Sequence, residues 1–308
     1  MWQKDVRTEE EIYSSIAEDF IARFPDDPEA DQICDEIFKA KFDSDNAVHC
    51  FFSPSKSNGW VPCTAYLDRA KQWDGSKEPA IRGTIAHHFL SKMINNIKAK
   101  LFDPIDLHTY YVFRSPQWLS EPGIDSAKEL LCKCAALGFD NVESEVFLMS
   151  DNFGIPNKNL RFGGSIDVLS IIKDTEEHKK PWFRVWIYDL KTGKHVVNPN
   201  CWQLKCYALL VWEKIAKDNG FKEDDEFYVE FTLGISQNGT VREYWFGDPE
   251  EQQKAFVKIH DAFTRYKEYL KHNLNVGIDD ERDSGFPDCF CPNDYCRFCR
   301  GCYKAQEV

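Results

Sequence analysis

The segment WIYDLKTGK, residues 186–194, constrains the fold of this chain more than any other feature. On a β-strand alternate side chains share a face, so Asp189 and Lys191 project together while the apolar residues around them face the other way. The Thr-Gly pair that follows ends the strand. We therefore expect a carboxylate and an ammonium group at the exposed tip of a strand, where catalytic groups often lie.

A second carboxylate lies in an apolar strand upstream. The segment GGSIDVLSI, residues 163–171, places Asp167 between Ile166 and Val168. A carboxylate flanked by strand-core residues must be stabilised by a partner or by a cation. If the two strands are neighbours, Asp167 and Asp189 converge on one hard divalent ion. Mg²⁺ is typically held by one or two protein carboxylates plus water and substrate phosphate, which fits these residues.

Two further polar residues lie on a predicted helix downstream. The segment QLKCY places Gln203 and Tyr207 four residues apart, hence on one helix face from which both can reach one substrate. Each residue alone has an ordinary structural interpretation: an Asp-x-Lys pair is more often a surface ion pair, and a lone His87 more often a structural histidine. The order and spacing of the whole set favour the catalytic interpretation.

Hydrophobic periodicity predicts an alternation of helices and strands along the chain. We expect helices over 82–97, 125–137, 200–217 and 249–271, and strands over 143–149, 163–172, 183–190 and within 227–246. This order indicates one α/β domain with helical additions at both ends. We expect an acidic helical extension over 1–48, a core domain over 49–280 and a cysteine-rich tail over 281–308.

The cysteines are unevenly distributed. Five of the 12 lie close together near the end of the chain: Cys289, Cys291, Cys296, Cys299 and Cys302. A secreted disulfide scaffold would usually be smaller and would carry a signal peptide, so metal ligation is the better interpretation of this crowding. Four thiolates suit either an iron–sulfur cluster or tetrahedral Zn²⁺.

Net charge and hydropathy disfavour some classes of protein. The net charge of −13 argues against a protein that coats nucleic acid, because phosphate binding normally needs a basic surface. An enzyme that grips a few phosphates in a narrow channel can still be acidic overall. The sequence contains no apolar run typical of a signal peptide or a membrane span, so we expect no membrane contact and a cytoplasmic location.

Four motifs carry a family resemblance: GTIAH (83–87), GGSID (163–167), YDLKTGK (188–194) and QLKCY (203–207). Together they resemble the motif set of RecB-type nucleases in the PD-(D/E)XK superfamily. The preceding SPSKSNGWVPCTAYL resembles the serine-rich segment and cysteine that open the iron–sulfur members, which include phage-type exonucleases and are similar to CRISPR-associated nuclease domains. The resemblance implies a central mixed sheet flanked by helices, with residues 49–280 as the nuclease core.

The resemblance also assigns metal ligands. It makes His87, Asp167 and Asp189 side-chain ligands of Mg²⁺ or Mn²⁺, with the backbone carbonyl of Leu190 as a further ligand. Glu145, in the strand before GGSID, matches an acidic position found in many members.

The remaining motif residues receive catalytic roles from the same resemblance. Lys191 would orient or deprotonate the attacking water and stabilise charge on the phosphate. Gln203 and Tyr207 would position Lys191 or the scissile strand.

In the family that these motifs resemble, one cysteine before the core and three after it hold a 4Fe–4S cluster. Here these are Cys63, Cys296, Cys299 and Cys302. The last two cysteines are usually farther apart in the family, so Cys291 or Cys289 are alternates for one of the three. Zn²⁺ is the alternative metal.

The resemblance implies hydrolysis of DNA, from the ends of linear molecules more than internally. The setting would be phage or bacterial recombination and repair, in the host cytoplasm if the protein is phage-encoded. A single-strand annealing protein is a possible partner. The alternatives are a structure-specific endonuclease, a nuclease of CRISPR adaptation, and a non-catalytic DNA-binding scaffold protein.

Overall fold

The computed structural model describes residues 7–62, 77–99, 121–155, 160–174, 180–193, 195–222 and 224–273. The helices in these ranges are α1 (Glu9–Arg23), α2 (Ala30–Asp45), α3 (Ser57–Trp60), α4 (Glu78–Lys98), α5 (Glu121–Leu137), α6 (Trp202–Asp218) and α7 (Pro249–Asn273). The strands are β1 (Val142–Ile155), β2 (Leu160–Lys173), β3 (Trp182–Lys191), β4 (Tyr228–Gln237) and β5 (Thr240–Phe246).

The strands form one five-stranded mixed sheet in the order β1-β2-β3-β4-β5. Strands β3 and β4 are parallel, and the other neighbouring pairs are antiparallel. A parallel pair needs a crossover connection, which α6 supplies. The β4–β5 turn uses Asn238 and Gly239, whose φ angles of 54° and 69° suit a two-residue hairpin turn. The predicted α/β class with a mixed sheet is confirmed.

Helices cover both faces of the sheet. On one face α1, α2, α4 and α5 pack against apolar residues that include Tyr188 and Leu190 of β3. On the other face α6 and α7 pack against residues that include Ile187 of β3. Because neighbouring residues of a strand face opposite sides, Asp189 lies on the side of α6. The alternation predicted for residues 186–191 is therefore confirmed.

Helix α4 shows how closely periodicity predicted the helices. The predicted helix over 82–97 lies within α4, and its four apolar positions Ile85, Phe89, Met93 and Ile97 are all buried. The first two strands extend beyond their predictions, because β1 and β2 continue pairing as far as Ile155 and Leu160.

The N-terminal helices pack into the same apolar cluster as α4, through residues such as Ile12, Phe20 and Ile37. The domain divisions at 48 and 280 remain predictions. Cys63 and the tail 281–308 lie outside the described residues. Within the described part of the chain, no helix is both long and apolar enough to cross a bilayer.

Candidate active site

Three neighbouring strands each supply one carboxylate: Glu145 from β1, Asp167 from β2 and Asp189 from β3. Val168 pairs with Tyr188 across the antiparallel β2–β3 ladder, so Asp167 and Asp189 lie side by side at the next position. Side chains directly opposite each other on adjacent strands are close enough to interact. The sheet therefore gathers acidic groups that are far apart in the sequence.

Helix α4 adds a histidine to this group. The Nδ1 of His87 lies 3.0 Å from Oδ1 of Asp167 and 3.9 Å from Oε1 of Glu145. One ligand atom from each of these three residues lies within 4.8 Å of the other two. Two carboxylate oxygens and one imidazole nitrogen form a donor set that suits Mn²⁺, and the carboxylates suit Mg²⁺. Among the described residues, this is the group whose geometry fits a divalent cation.

Glu145 reaches the site through an unusual backbone conformation. Its φ of 50° lies in the left-handed region, which residues other than glycine rarely adopt. The Ser165 hydroxyl donates a 3.0 Å hydrogen bond to Oε2 of Glu145. Burial and the negative charge of Asp167 raise the pKa of Glu145 to about 7. Backbone strain and a perturbed carboxyl at one position are typical of functional sites.

Asp167 and His87 form an ion pair. Burial favours a neutral Asp167, but the charge and hydrogen bond of His87 outweigh burial and lower the pKa of Asp167. The backbone N–H of Leu190 also donates to its Oδ2 at 2.6 Å. Burial lowers the pKa of His87, but Asp167 and Glu145 outweigh this and raise it to about 9. Leu190 thus contacts the site through its N–H, and ligation by its carbonyl remains a prediction.

Asp189 has different partners. Its Oδ1 accepts a 2.7 Å hydrogen bond from Nε2 of Gln203, and its Oδ2 lies 2.7 Å from Nζ of Lys191. Although the ammonium is close, no donor among the described residues reaches this buried Oδ2 with hydrogen-bond geometry. Burial raises the pKa of Asp189 to about 6, although Lys191 opposes that rise. An incompletely satisfied buried carboxylate oxygen is what a nearby cation would satisfy.

Tyr207 lies on the same face of α6 as Gln203, as predicted, and is buried. Its ring packs beside Gly164 of the GGSID motif. A Cβ at Gly164 would lie 3.5 Å from Cε1 of Tyr207 and 2.9 Å from Cδ of Pro54. Burial, together with the charges of Asp189 and Asp167, raises the pKa of Tyr207 well above its usual value. The hydroxyl therefore stays protonated and available as a hydrogen-bond donor.

The family model of the PD-(D/E)XK nuclease superfamily matches residues 63–303. The chain belongs to the PD-(D/E)XK nuclease superfamily. Membership makes it a metal-dependent nuclease and implies DNA as its substrate. The five-stranded mixed sheet with helices is consistent with the core of this family. No curated protein matches this chain in sequence.

Gly83 allows a close approach between α4 and β3. Gly83, in GTIAH, faces the end of β3, where a Cβ would lie 3.3 Å from Oγ1 of Thr192. This close approach brings α4 onto the end of β3 and sets His87, one helical turn later, near the carboxylates. Residues of the GTIAH, GGSID and YDLKTGK motifs are thus in contact in the fold.

The structure places all the predicted side chains of this nuclease site in one region, but it groups them differently from the expectation. The resemblance assigned His87, Asp167 and Asp189 as ligands. The structure places Glu145 with His87 and Asp167, while Asp189 is engaged by its ion pair and by Gln203. The ligand set remains a prediction. The sequence signal for Glu145 was its position as an acidic residue within the predicted strand before GGSID.

Proposed function

We propose that this nuclease is a RecB-type, Mg²⁺- or Mn²⁺-dependent exonuclease that hydrolyses phosphodiester bonds at the ends of linear DNA. The proposal rests on one observation: a ligand atom from each of His87, Glu145 and Asp167 lies within 4.8 Å of the other two, beside the strand that carries the Asp189–Lys191 ion pair. These residues would hold a divalent ion, which would polarise a phosphoryl oxygen and lower the pKa of a bound water.

The role of Lys191 follows from its surroundings. Burial lowers the pKa of its ammonium, but the adjacent Asp189 carboxylate outweighs burial and raises it. Lys191 therefore stays protonated at neutral pH. A charged ammonium donates hydrogen bonds and stabilises negative charge on the phosphate, but it does not remove a proton from water. The environment of Lys191 therefore favours charge stabilisation over deprotonation of the attacking water.

Gln203 and Tyr207 would complete the site from α6. The amide of Gln203 fixes one oxygen of Asp189, which leaves the other oxygen for Lys191 and for a cation. The protonated Tyr207 hydroxyl is suited to donate to the scissile strand. Both residues project from one helix that packs on the sheet, so their positions are held by the core and not by a loop.

Cleavage from ends, and not within the chain, is proposed because the iron–sulfur nucleases that the motifs resemble are mainly exonucleases. On the same basis we propose a role in phage or bacterial recombination or repair, beside a strand-annealing protein, in the cytoplasm. A structure-specific endonuclease, a nuclease of CRISPR adaptation and a DNA-binding scaffold are the alternatives.

We also propose that Cys63, Cys296, Cys299 and Cys302 bind a 4Fe–4S cluster, with Cys291 or Cys289 as alternates and Zn²⁺ as the alternative metal. The test is iron, sulfide and zinc analysis of anaerobically purified protein, with visible absorbance. Cys63→Ser should lose the cluster. Cys132→Ser, which changes an exposed thiol of α5, should keep it. If the analysis finds zinc and no sulfide, these cysteines bind zinc and not a 4Fe–4S cluster.

The activity test compares end-labelled linear DNA with covalently closed circular DNA in Mg²⁺ or Mn²⁺. Asp189→Asn should abolish cleavage. Asp218→Asn should not, because it only breaks an exposed pair with Lys214. Digestion of linear DNA alone supports an exonuclease, whereas nicked circles indicate an endonuclease. DNA binding without cleavage by the wild-type protein would favour the scaffold.

A further inference from the structure

The buried side chain of Gln237, at the end of β4, makes four hydrogen bonds. Its Nε2 donates to the backbone oxygens of Gly193 at 2.6 Å and His195 at 2.7 Å. Its Oε1 accepts from the backbone N–H of Val197 at 3.0 Å and from Nη2 of Arg242 at 2.9 Å. A primary amide has two donor hydrogens and two acceptor lone pairs, so this side chain is fully used.

Three of these four partners belong to the loop that leaves β3, which we call the exit loop (residues 192, 193 and 195–197). His195 and Val196 are exposed, Val196 to 68%, so burial of these side chains does not fix the loop. The hydrogen bonds to Gln237 fix its backbone instead. The C-terminal ends of parallel strands in α/β proteins commonly carry the ligand site, and the exit loop lies at such an end.

The exit loop begins directly after Lys191, which is the last residue of β3. Lys191 and Gln237 are partners in the parallel β3–β4 ladder. The last residue of a strand frays when the segment beyond it is released. The ammonium of Lys191 would then leave its position 2.7 Å from Asp189. The Gln237 amide thus acts on Lys191 through the backbone.

Gln237 is itself held by α5. It precedes the β4–β5 turn, where the Gly239 N–H donates to Oγ of Ser126 at 3.1 Å. The Ser236 hydroxyl donates to the backbone oxygen of Ser126 at 2.5 Å. Ser126 and Ser236 are both fully buried. A rigid path of hydrogen bonds therefore leads from α5 through the turn and Gln237 to the exit loop.

We propose that Gln237 is a positioning residue for phosphodiester hydrolysis, which fixes the exit loop and through it the orientation of Lys191. The inference rests on the proposed function. It predicts that losing the Gln237 amide lowers the rate of the chemical step without weakening the binding of metal. His87, Glu145 and Asp167, the group that fits a cation, lie on α4, β1 and β2, and Asp189 of β3 is held by Gln203 and not by the exit loop.

Gln252 of α7 provides a matched control. It is also buried, and its Nε2 donates to two backbone oxygens of the same hairpin, Val229 and Phe246, each at 2.8 Å. Val229 lies near the start of β4, far along the strand from Gln237. Gln237→Leu and Gln252→Leu therefore each remove an amide that donates to two backbone oxygens, at opposite ends of one strand. A purely structural role predicts that each change lowers kcat only in proportion to its loss of stability.

The experiment measures thermal stability, hydrogen exchange of the exit loop, Mg²⁺ affinity, kcat and KM for the full chain. Gln237→Leu should speed exchange of the Val197 amide and lower kcat by roughly tenfold or more, with KM and Mg²⁺ affinity unchanged. Gln252→Leu should lower stability to a similar degree and keep kcat. If Gln237→Leu does not fold, Gln237→Glu replaces it, because Glu keeps the oxygen that accepts from Val197 and Arg242.

Two results would overturn the inference: faster exchange in the exit loop with wild-type kcat, or an equal loss of kcat in the Gln252 variant. Either result leaves the proposed function intact, because the wild-type protein still cuts DNA. If the wild-type protein cuts no DNA, the proposed function fails, and the role of Gln237 fails with it.

Discussion

The Nδ1 of His87 lies 3.0 Å from Oδ1 of Asp167, and both residues belong to the group that fits a divalent cation. In the metal-free protein a proton on Nδ1 bridges the two residues. A cation bound by the His87 ring requires a neutral imidazole, with no proton on the ligand nitrogen. Protons and metal ions therefore compete for the His87 imidazole.

The first prediction concerns the pH dependence of metal binding. The pKa of His87 is raised from 6.5 to about 9, so the ion pair stabilises the metal-free protein fully below pH 6.5 and is lost as pH rises through about 9. Metal affinity should therefore increase with pH over that range, with release of a proton. Calorimetric titration of Mn²⁺ in two buffers of different ionisation enthalpy measures the release. An affinity independent of pH would contradict the prediction.

The second prediction concerns repulsion between Glu145 and Asp167. Glu145→Gln removes one of two neighbouring negative charges, so it should raise the melting temperature of the metal-free protein. It should also weaken Mn²⁺ binding by roughly tenfold or more, because a ligand is lost. Glu143→Gln changes an exposed carboxylate of the same strand and should do neither. If Glu145→Gln instead lowers the melting temperature of the metal-free protein, repulsion between Glu145 and Asp167 is not significant.

The third prediction concerns the Asp189–Lys191 ion pair. The carboxylate is almost fully buried, whereas 27% of the Lys191 side chain is exposed. Lys191→Met should therefore reduce the free energy of unfolding more than Asp189→Asn does, because Lys191→Met leaves a buried negative charge unpaired. A double-mutant cycle of the free energy of unfolding should give a coupling of about 1–3 kcal/mol. A coupling near zero would indicate a pair that water already screens.

The fourth prediction concerns the space beside Gly164. An alanine there places a Cβ 2.9 Å from Pro54, next to Tyr207, so Gly164→Ala should reduce the free energy of unfolding by about 1–3 kcal/mol. Gly193→Ala is the control, because a Cβ at that position meets no atom within 4 Å. Urea denaturation of both variants measures the difference. Equal stability of the two would mean that the segment around Pro54 moves away without cost.

The fifth prediction concerns how the N-terminal helices are fastened to α4. Glu36 of α2 lies 2.8 Å from Nε2 of His88 and also pairs with Lys92. Glu36→Gln should reduce the free energy of unfolding by about 1–3 kcal/mol, because its side chain is only 14% exposed. Asp43 contacts the other nitrogen of His88 and is 52% exposed. Asp43→Asn should therefore reduce the free energy of unfolding less than Glu36→Gln does. Chemical denaturation compares the two variants.

Local periodicity was enough to predict much of the nuclease from its sequence. The alternation of residues 186–191 placed Asp189 and Lys191 on one face of a strand, and the spacing of Gln203 and Tyr207 placed them on one helix face. The apolar positions of α4 were equally clear. Each of these features depends on residues within a few positions of one another, so the repeat of a helix or strand encodes it directly.

The tertiary structure alone decided which groups meet. Glu145 joins His87 and Asp167 because β1 lies beside β2 and because its backbone adopts a left-handed conformation, neither of which its neighbours in sequence specify. The hydrogen bonds of Gln237 to the exit loop likewise join residues about forty positions apart. Such contacts depend on the order and register of strands, which the packing of the whole core determines and no local pattern contains.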